Sequence, residues 1–209
     1  MSNKTTIMGA AAIATICGSA MGSITITQGS SAATYGTTLN FDEVGGPTGA
    51  VATNAFASFG VTELQAGDSA PFVGDFSTTP GQSWLGTGNA FFGNFGVFMT
   101  MDSDLSEMSF QAWDPSGAPS PFGGGMGIFV FDDGVEVANA FVTPAWGGIG
   151  DTWFDITTSG GMVFDEVRIL GFGFGPTTYA DNFSWTAIPA PGSFALLGLA
   201  GVAVRRRRA

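Results

Sequence analysis

Between Ser23 and Ala187 the apolar residues of this chain recur at every second position in short runs, and no stretch settles into the three-to-four spacing of a helical stripe. Leu39-Asn40-Phe41-Asp42, Phe59 to Leu64, Phe95 to Met101, Met108 to Trp113, Gly127 to Phe131, Val135 to Val142, Trp153 to Ile156, Val163 to Leu170 and Phe183-Ser184-Trp185 are each bounded by Gly, Pro, Asp or Ser. Successive side chains alternate across a pleat, so such runs read as strands with one buried face. Nine or more of them, joined by turns, predict an all-β fold: a jelly-roll-like β-sandwich whose large aromatics fill the space between two sheets. Asp132-Asp133-Gly134 predicts a hairpin, because Asp-Gly accepts the positive φ of a tight turn. Asp114 to Gly125, with three prolines and four glycines, and Ala66 to Trp84 predict rim loops, the places where binding is built on such a scaffold.

Charge narrows the function. Lys4 and Arg205 to Arg208 hold five of the six basic residues, so residues 23–187 keep only Arg168 against all seventeen acids, a net charge of −16. A surface of that sign repels phosphate backbones and anionic lipids, which excludes nucleic acid as a partner and a peripheral membrane role for the domain, and it attracts cations. Little lysine and abundant Thr, Ser, Gly, Asn and Phe suit an extracellular β protein. There is no histidine, so Ser-His-Asp and Cys-His catalysis and imidazole zinc sites are excluded. Carboxylate pairs such as Asp42-Glu43, Asp132-Asp133 and Asp165-Glu166 leave a glycan-active hydrolase as an alternative. Strand neighbours point to opposite faces, however, so no adjacent pair is itself the catalytic couple. The expectation is therefore a protein that is not an enzyme.

The two ends read as addresses. Lys4, the apolar stretch Ile7 to Cys17 and the small residues Gly18, Ala20 and Gly22 match a secretory signal peptide over residues 1–22, read by the Sec machinery. Cleavage before Ser23 or before Met21 would remove Cys17, the only cysteine; a lipoprotein reading of Cys17 conflicts with the bulky Ile16 before it. At the other end, residues 188–209 combine Pro189-Ala190-Pro191, an apolar run from Ser193 to Val204, and Arg205, Arg206, Arg207 and Arg208. Ala187 to Val204 would span about 27 Å as a helix, against a hydrocarbon core of about 30 Å, with the arginines held cytoplasmic. A short transmembrane helix is expected there, suited to a segment held briefly and then cut; a buried core helix would not end in four arginines that need water.

That tail resembles the PEP-CTERM sorting signal of bacterial surface proteins, in which a Pro-Glu-Pro motif precedes an apolar span and an arginine cluster; here Ala190 stands in place of the acid. The resemblance covers about a tenth of the chain and implies recognition by an exosortase, a membrane cysteine protease that cuts near the motif and releases the protein to the cell envelope or exterior. Phe41-Asp42-Glu43, Gly60-Val61-Thr62, Phe164 to Ile169 and Tyr179-Ala180-Asp181-Asn182-Phe183 look like the ectodomains of such proteins, and the last also like the final strand of carbohydrate-binding jelly rolls. In those, an acid near the first strand and an aspartate of the last share a structural calcium, which implies Asp42 or Glu43 with Asp181, assisted by Asn182, as Ca²⁺ ligands. Solvated acids at Asp42 and Glu43 and a simple chain turn at Asp181-Asn182 are the other reading. Aromatic faces stack on sugar rings, so Trp84, Trp113, Trp146, Phe122 or Tyr179 would serve extracellular polysaccharide if exposed, with Trp146 and Phe122 favoured by the turn residues around them. The expected function is a non-enzymatic surface or matrix protein associated with extracellular polysaccharide; a purely structural or adhesive surface protein is a further alternative.

Overall fold

One long strand organises the molecule. In the computed structural model, which describes residues 22–29, 31–43, 49–68, 70–76, 88–113, 125–142, 153–171 and 177–189, strand β7 (Val97–Trp113) runs for 17 residues and takes part in both layers of the fold. Before it come β1 (Ser23–Gly29), β2 (Thr37–Leu39), β3 (Gly49–Ala50), β4 (Val61–Ala66), β5 (Phe72–Asp75) and β6 (Asn89–Asn94). After it come β8 (Met126–Asp132), β9 (Val135–Val142), β10 (Trp153–Ser159), β11 (Phe164–Gly171) and β12 (Thr177–Ala187). All pairings among them are antiparallel, and a 3-10 turn, Ala57–Phe59, precedes β4.

The first half of β7 pairs with β4 on one side and β11 on the other, and β11 continues the layer through β8 to β9. The second half pairs with β10 and β12, extending to β1 on one side and to β2, β6, β5 and β3 on the other. Side-chain parity explains how one strand serves both layers. Val97, Met99, Met101 and Leu105 are buried in the first half, Met108, Phe110 and Ala112 in the second, so the inward positions change from odd to even. The change sits at a β-bulge: Ala187 faces Leu105 and Thr186 faces Glu107, leaving Ser106 as the extra residue. A one-residue insertion reverses which face a strand presents, and here it keeps both halves directed at the same core.

That core is a single cluster shared by the two layers. Leu64, Val97, Val130, Val167 and Ile169 come from one, and Phe110, Phe154, Ile156, Phe183 and Trp185 from the other. Phe110 stacks between Phe154 and Phe183 at 5.7 and 5.3 Å, and Phe41 meets Phe56 and Phe183 edge-on at 5.1 and 5.9 Å. Such pairs add about 0.5–1.5 kcal/mol each beyond the area they bury. The all-β sandwich expected from the alternation is therefore present.

Details differ from the sequence reading. Phe95 to Met101 and Met108 to Trp113 are parts of one continuous strand plus a turn, because the bulge absorbs the break in alternation. β1, β3, β5 and β6 were not expected; Phe91 and Phe92 side by side in β6 hide its period, since Phe91 joins the main core and Phe92 packs with Phe76 and Tyr179 on the other side. The Asp133-Gly134 hairpin joins β8 to β9 with φ of 50° and 76°, both in the region that a tight reversed turn needs. Among the described residues no helix is long and apolar enough to cross a membrane, and the segments expected to be signal peptide and transmembrane helix lie outside them.

Candidate functional site

The distinctive chemistry gathers where β12 departs from regular pairing. Asp181 faces Gln111 and Ser184 faces Ser109, so β12 takes three steps while β7 takes two, and Asn182 occupies the resulting bulge with φ of 53°. Asparagine tolerates this left-handed conformation better than most side chains. The bulge turns Phe183 into the core while Asp181 and Ser184 stay on the outward side of the layer.

That outward side is nonetheless covered. Residues 31–36 cross over it as a strap: Ala33 N–H donates to Asp155 Oδ1 at 3.4 Å, and Ser184 Oγ donates to the Ala33 carbonyl at 3.2 Å. The turn after β2 covers the rest. Phe41, itself at φ 60°, drives its ring into the core and sends Asp42 the other way, where Oδ1 accepts the Asn89 N–H at 2.7 Å. Gly88 sits at a φ of 139°, where an L side chain is strained, and a Cβ there would lie 2.7 Å from Asp42 Oδ2, so the position favours glycine. A bulky residue such as Phe41 in the left-handed region is strained, and strain of this kind concentrates at functional sites.

Asp181 is left only 5% exposed. Burial is the main force pushing its carboxyl up to about 8; the Asn182 N–H, donating to Oδ1 at 2.7 Å, opposes the rise, and the negative charges of Asp42 and Glu43 add to it. Asn182 Nδ2 also donates to Asp181 Oδ2 at 3.3 Å and to Gln111 Oε1 at 3.2 Å. The structure thus brings Asp42, Glu43, Asp181 and Asn182, the expected calcium ligands, into one neighbourhood. It does not gather them into a cage: among the described residues no group of three or more Asp, Glu, His or Cys side chains is placed to hold a metal ion.

Beside this cluster lies a cavity of about 200 Å³, lined by Thr34, Thr38, Asn40, Trp153, Asn182 and Ser184 among others. It is smaller than the roughly 300–1,000 Å³ of sites for drug-sized ligands, so it suits one ring or the end of a chain. Trp153, at the start of β10, is half-buried and supplies an indole wall, while Asn40, Thr34 and Thr38 are exposed and offer amide and hydroxyl groups. Among the described residues that line it there is no carboxylate.

Sequence reasoning did not single out Trp153, Asn40 or Ser184 for this role. Trp153 is indistinguishable in sequence from a core aromatic of a strand; only the strap creates the hollow beside it. Trp113 and Tyr179, considered as exposed platform residues, are each 5% exposed and so are not surface rings. Pro189 is exposed just past the end of β12. Trp84, Phe122, Trp146, Ala190, Pro191 and Arg205 to Arg208 lie outside the described residues.

No protein-family model and no curated protein matches the chain. Two solved structures resemble it. The K1 cleaved adhesin domain of Lys-gingipain from Porphyromonas gingivalis W83 superposes with a TM-score of 0.42 at 13% identity, covering 73% of this chain and 99% of that one. The module TmCBM61, solved in complex with β-1,4-galactotriose, superposes with a TM-score of 0.34 at 11% identity, covering 66% of this chain and 99% of that one.

Proposed function

We propose that this chain is an exported bacterial surface or matrix protein whose jelly-roll-like β-sandwich holds extracellular polysaccharide without cleaving it, and whose C-terminal segment is a PEP-CTERM-type signal processed by an exosortase. The observation that carries the binding reading is the cavity at the β12 bulge. An indole wall, two amides and several hydroxyls converge there, the combination that stacks on the apolar face of a sugar ring and hydrogen-bonds its hydroxyls. Among the described residues its lining holds no pair of carboxyls to flank a scissile bond, which favours binding over hydrolysis. The raised Asp181 would suit a general acid, but its oxygens are engaged by Asn182 and it does not line the cavity.

The test is titration of the full chain with neutral oligosaccharides, followed by tryptophan fluorescence, with reducing-end release monitored in parallel. Trp153→Ala is expected to weaken binding about tenfold or more, the loss of one well-formed stacking contact and its packing. Unchanged affinity in that variant would remove the cavity from the reading, and sugar release would replace a binding protein with a hydrolase.

Calcium enters this proposal on narrower support: the family resemblance, and the crowding of Asp42 and Glu43 towards a buried Asp181 that a cation would relieve. The carboxyls as arranged do not form a cage, so no step in binding is assigned to the ion. If Ca²⁺ does bind there, millimolar CaCl2 raises the melting temperature of the wild type and not that of Asp181→Ala; identical melting with CaCl2 and with chelator sinks the idea.

A further inference from the structure

The outward face of the other layer carries a feature that the cavity does not use. Across β4, β7, β11, β8 and β9, register places Gln65, Phe98, Arg168, Phe129 and Asn139 in one row of neighbours. These positions alternate with the buried Leu64, Val97, Met99, Val167, Ile169, Ile128 and Val130, so all of them project away from the core. Phe131 and Glu166 stand in the adjoining row, and Phe141, 70% exposed, meets the Phe129 ring edge-on at 5.7 Å.

Arg168, the only basic residue between Ser23 and Ala187, sits at the centre. Its guanidinium lies 4.1 Å from the Phe131 ring and 5.6 Å from the Phe98 ring, and its Nε donates to Glu166 Oε1. A guanidinium carries five N–H donors in a fixed fork. The two rings and Glu166 hold that fork in place, and among the described residues no acceptor meets its terminal amino groups, while the side chain stays 39% exposed. Immobilised donors beside half-buried phenyl rings and the exposed Phe141, with the Gln65 and Asn139 amides at either end of the row, form a surface prepared for a polar ligand with apolar faces.

We propose that this face is a second glycan-binding surface, taking a neutral polysaccharide chain, with Arg168 as its central hydrogen-bond donor and Phe98, Phe129 and Phe141 as its stacking rings. Charge selects that occupant. Glu166 already neutralises the arginine, and Glu63, Asp132 and Glu136 rim the patch on a domain with seventeen acids and one base, so an anionic polymer or a second copy of the chain is repelled. The proposal rests on the polysaccharide reading for its ligand class, but shares no residue with the cavity.

Affinity electrophoresis of the full chain in mild detergent, through gels containing hydroxyethylcellulose, galactan or alginate, tests it. The wild type is expected to be retarded by a neutral polymer and not by alginate. Phe129→Ser with Phe141→Ser is expected to weaken that retardation about tenfold, and Arg168→Lys to weaken it as well. Phe141→Ser alone, at a largely exposed position, keeps the test valid if the double variant fails to fold. Wild-type retardation in the phenylalanine variants, retardation by alginate alone, or none by either neutral polymer overturns the proposal. Loss of oligosaccharide binding in Trp153→Ala with undiminished retardation in the phenylalanine variants would uphold the cavity and refute this surface; the opposite pattern would do the reverse.

Discussion

Asp181 is a carboxyl placed where its charge is unwelcome: buried, and facing two more acids across the turn after β2. Its folded-state value, about 8, lies above the ordinary 3.8 that it regains on unfolding. Below about pH 4 both states hold the proton and the native state keeps the full benefit of the raised value; as pH climbs towards about 8 the unfolded chain gains by ionising and that benefit is lost. Each unit of displacement corresponds to ~1.4 kcal/mol, so the effect is large enough to dominate the pH profile of a domain of ordinary stability. Asp181→Asn cannot ionise and is expected to flatten the decline, melting several degrees above the wild type near pH 8 and close to it near pH 4. Parallel decline of the two proteins would show that Asp181 is not held as a buried acid. The nearness of Asp42 to Asp181 follows from a resemblance at the sequence level, whereas the burial that raises the carboxyl depends on how the Phe41 turn packs over β12.

At the scale of elements, β7 and its bulge decide the architecture. Deleting Ser106 would bring Met108, Phe110 and Ala112 into the same alternation as Val97 to Leu105, so a regular strand without the bulge would keep both halves on the core. With Ser106 in place and the bulge straightened, those three side chains would instead turn outward and forfeit several kcal/mol of apolar burial, of the order of a small domain's whole stability. The deletion is therefore expected to leave a cooperative melting transition, and loss of that transition would show that the bulge does more than correct parity. Most strand segments were legible because alternation and turn chemistry are local: Val135 to Val142 coincides with β9, and Asp133-Gly134 forms the hairpin before it. β1 and β6 escaped notice for opposite reasons. Ser23–Gly29 alternates Ile with Thr but lies directly after the apolar leader-like stretch, and β6 has aromatic residues on both of its faces.

For the whole molecule, charge separates the folded domain from its ends. Five of six basic residues lie outside residues 23–187, so removal of both expected signals would leave a strongly acidic product. If the tail is cut as proposed, mass spectrometry of surface material finds a C-terminus near Pro191. Recovery of peptides containing Arg205 to Arg208 from the mature protein would mean that the segment is a retained anchor. The two outward faces then divide the surface by chemistry: a small cavity under the residue 31–36 strap on one layer, and an aromatic row around Arg168 on the other.

Alternation, turn residues, the absence of histidine and the placement of basic residues belong to the sequence alone, because each is a property of neighbours along the chain or of composition. They determined an all-β fold and excluded imidazole chemistry, and they carry the expectation that the two ends are addresses. Which outward rows remain open to solvent was decided only in three dimensions. Asp181 and Trp153 both project outward from strands, yet one is sealed beneath a turn contributed by residues far earlier in the chain and the other borders a cavity. Phe98, Phe129 and Phe131 read as core aromatics until register aligns them around Arg168 on the solvent side. Parity tells a strand which side chains share a face; bulges and crossing segments decide what that face meets, and those depend on contacts between residues that sequence proximity does not connect.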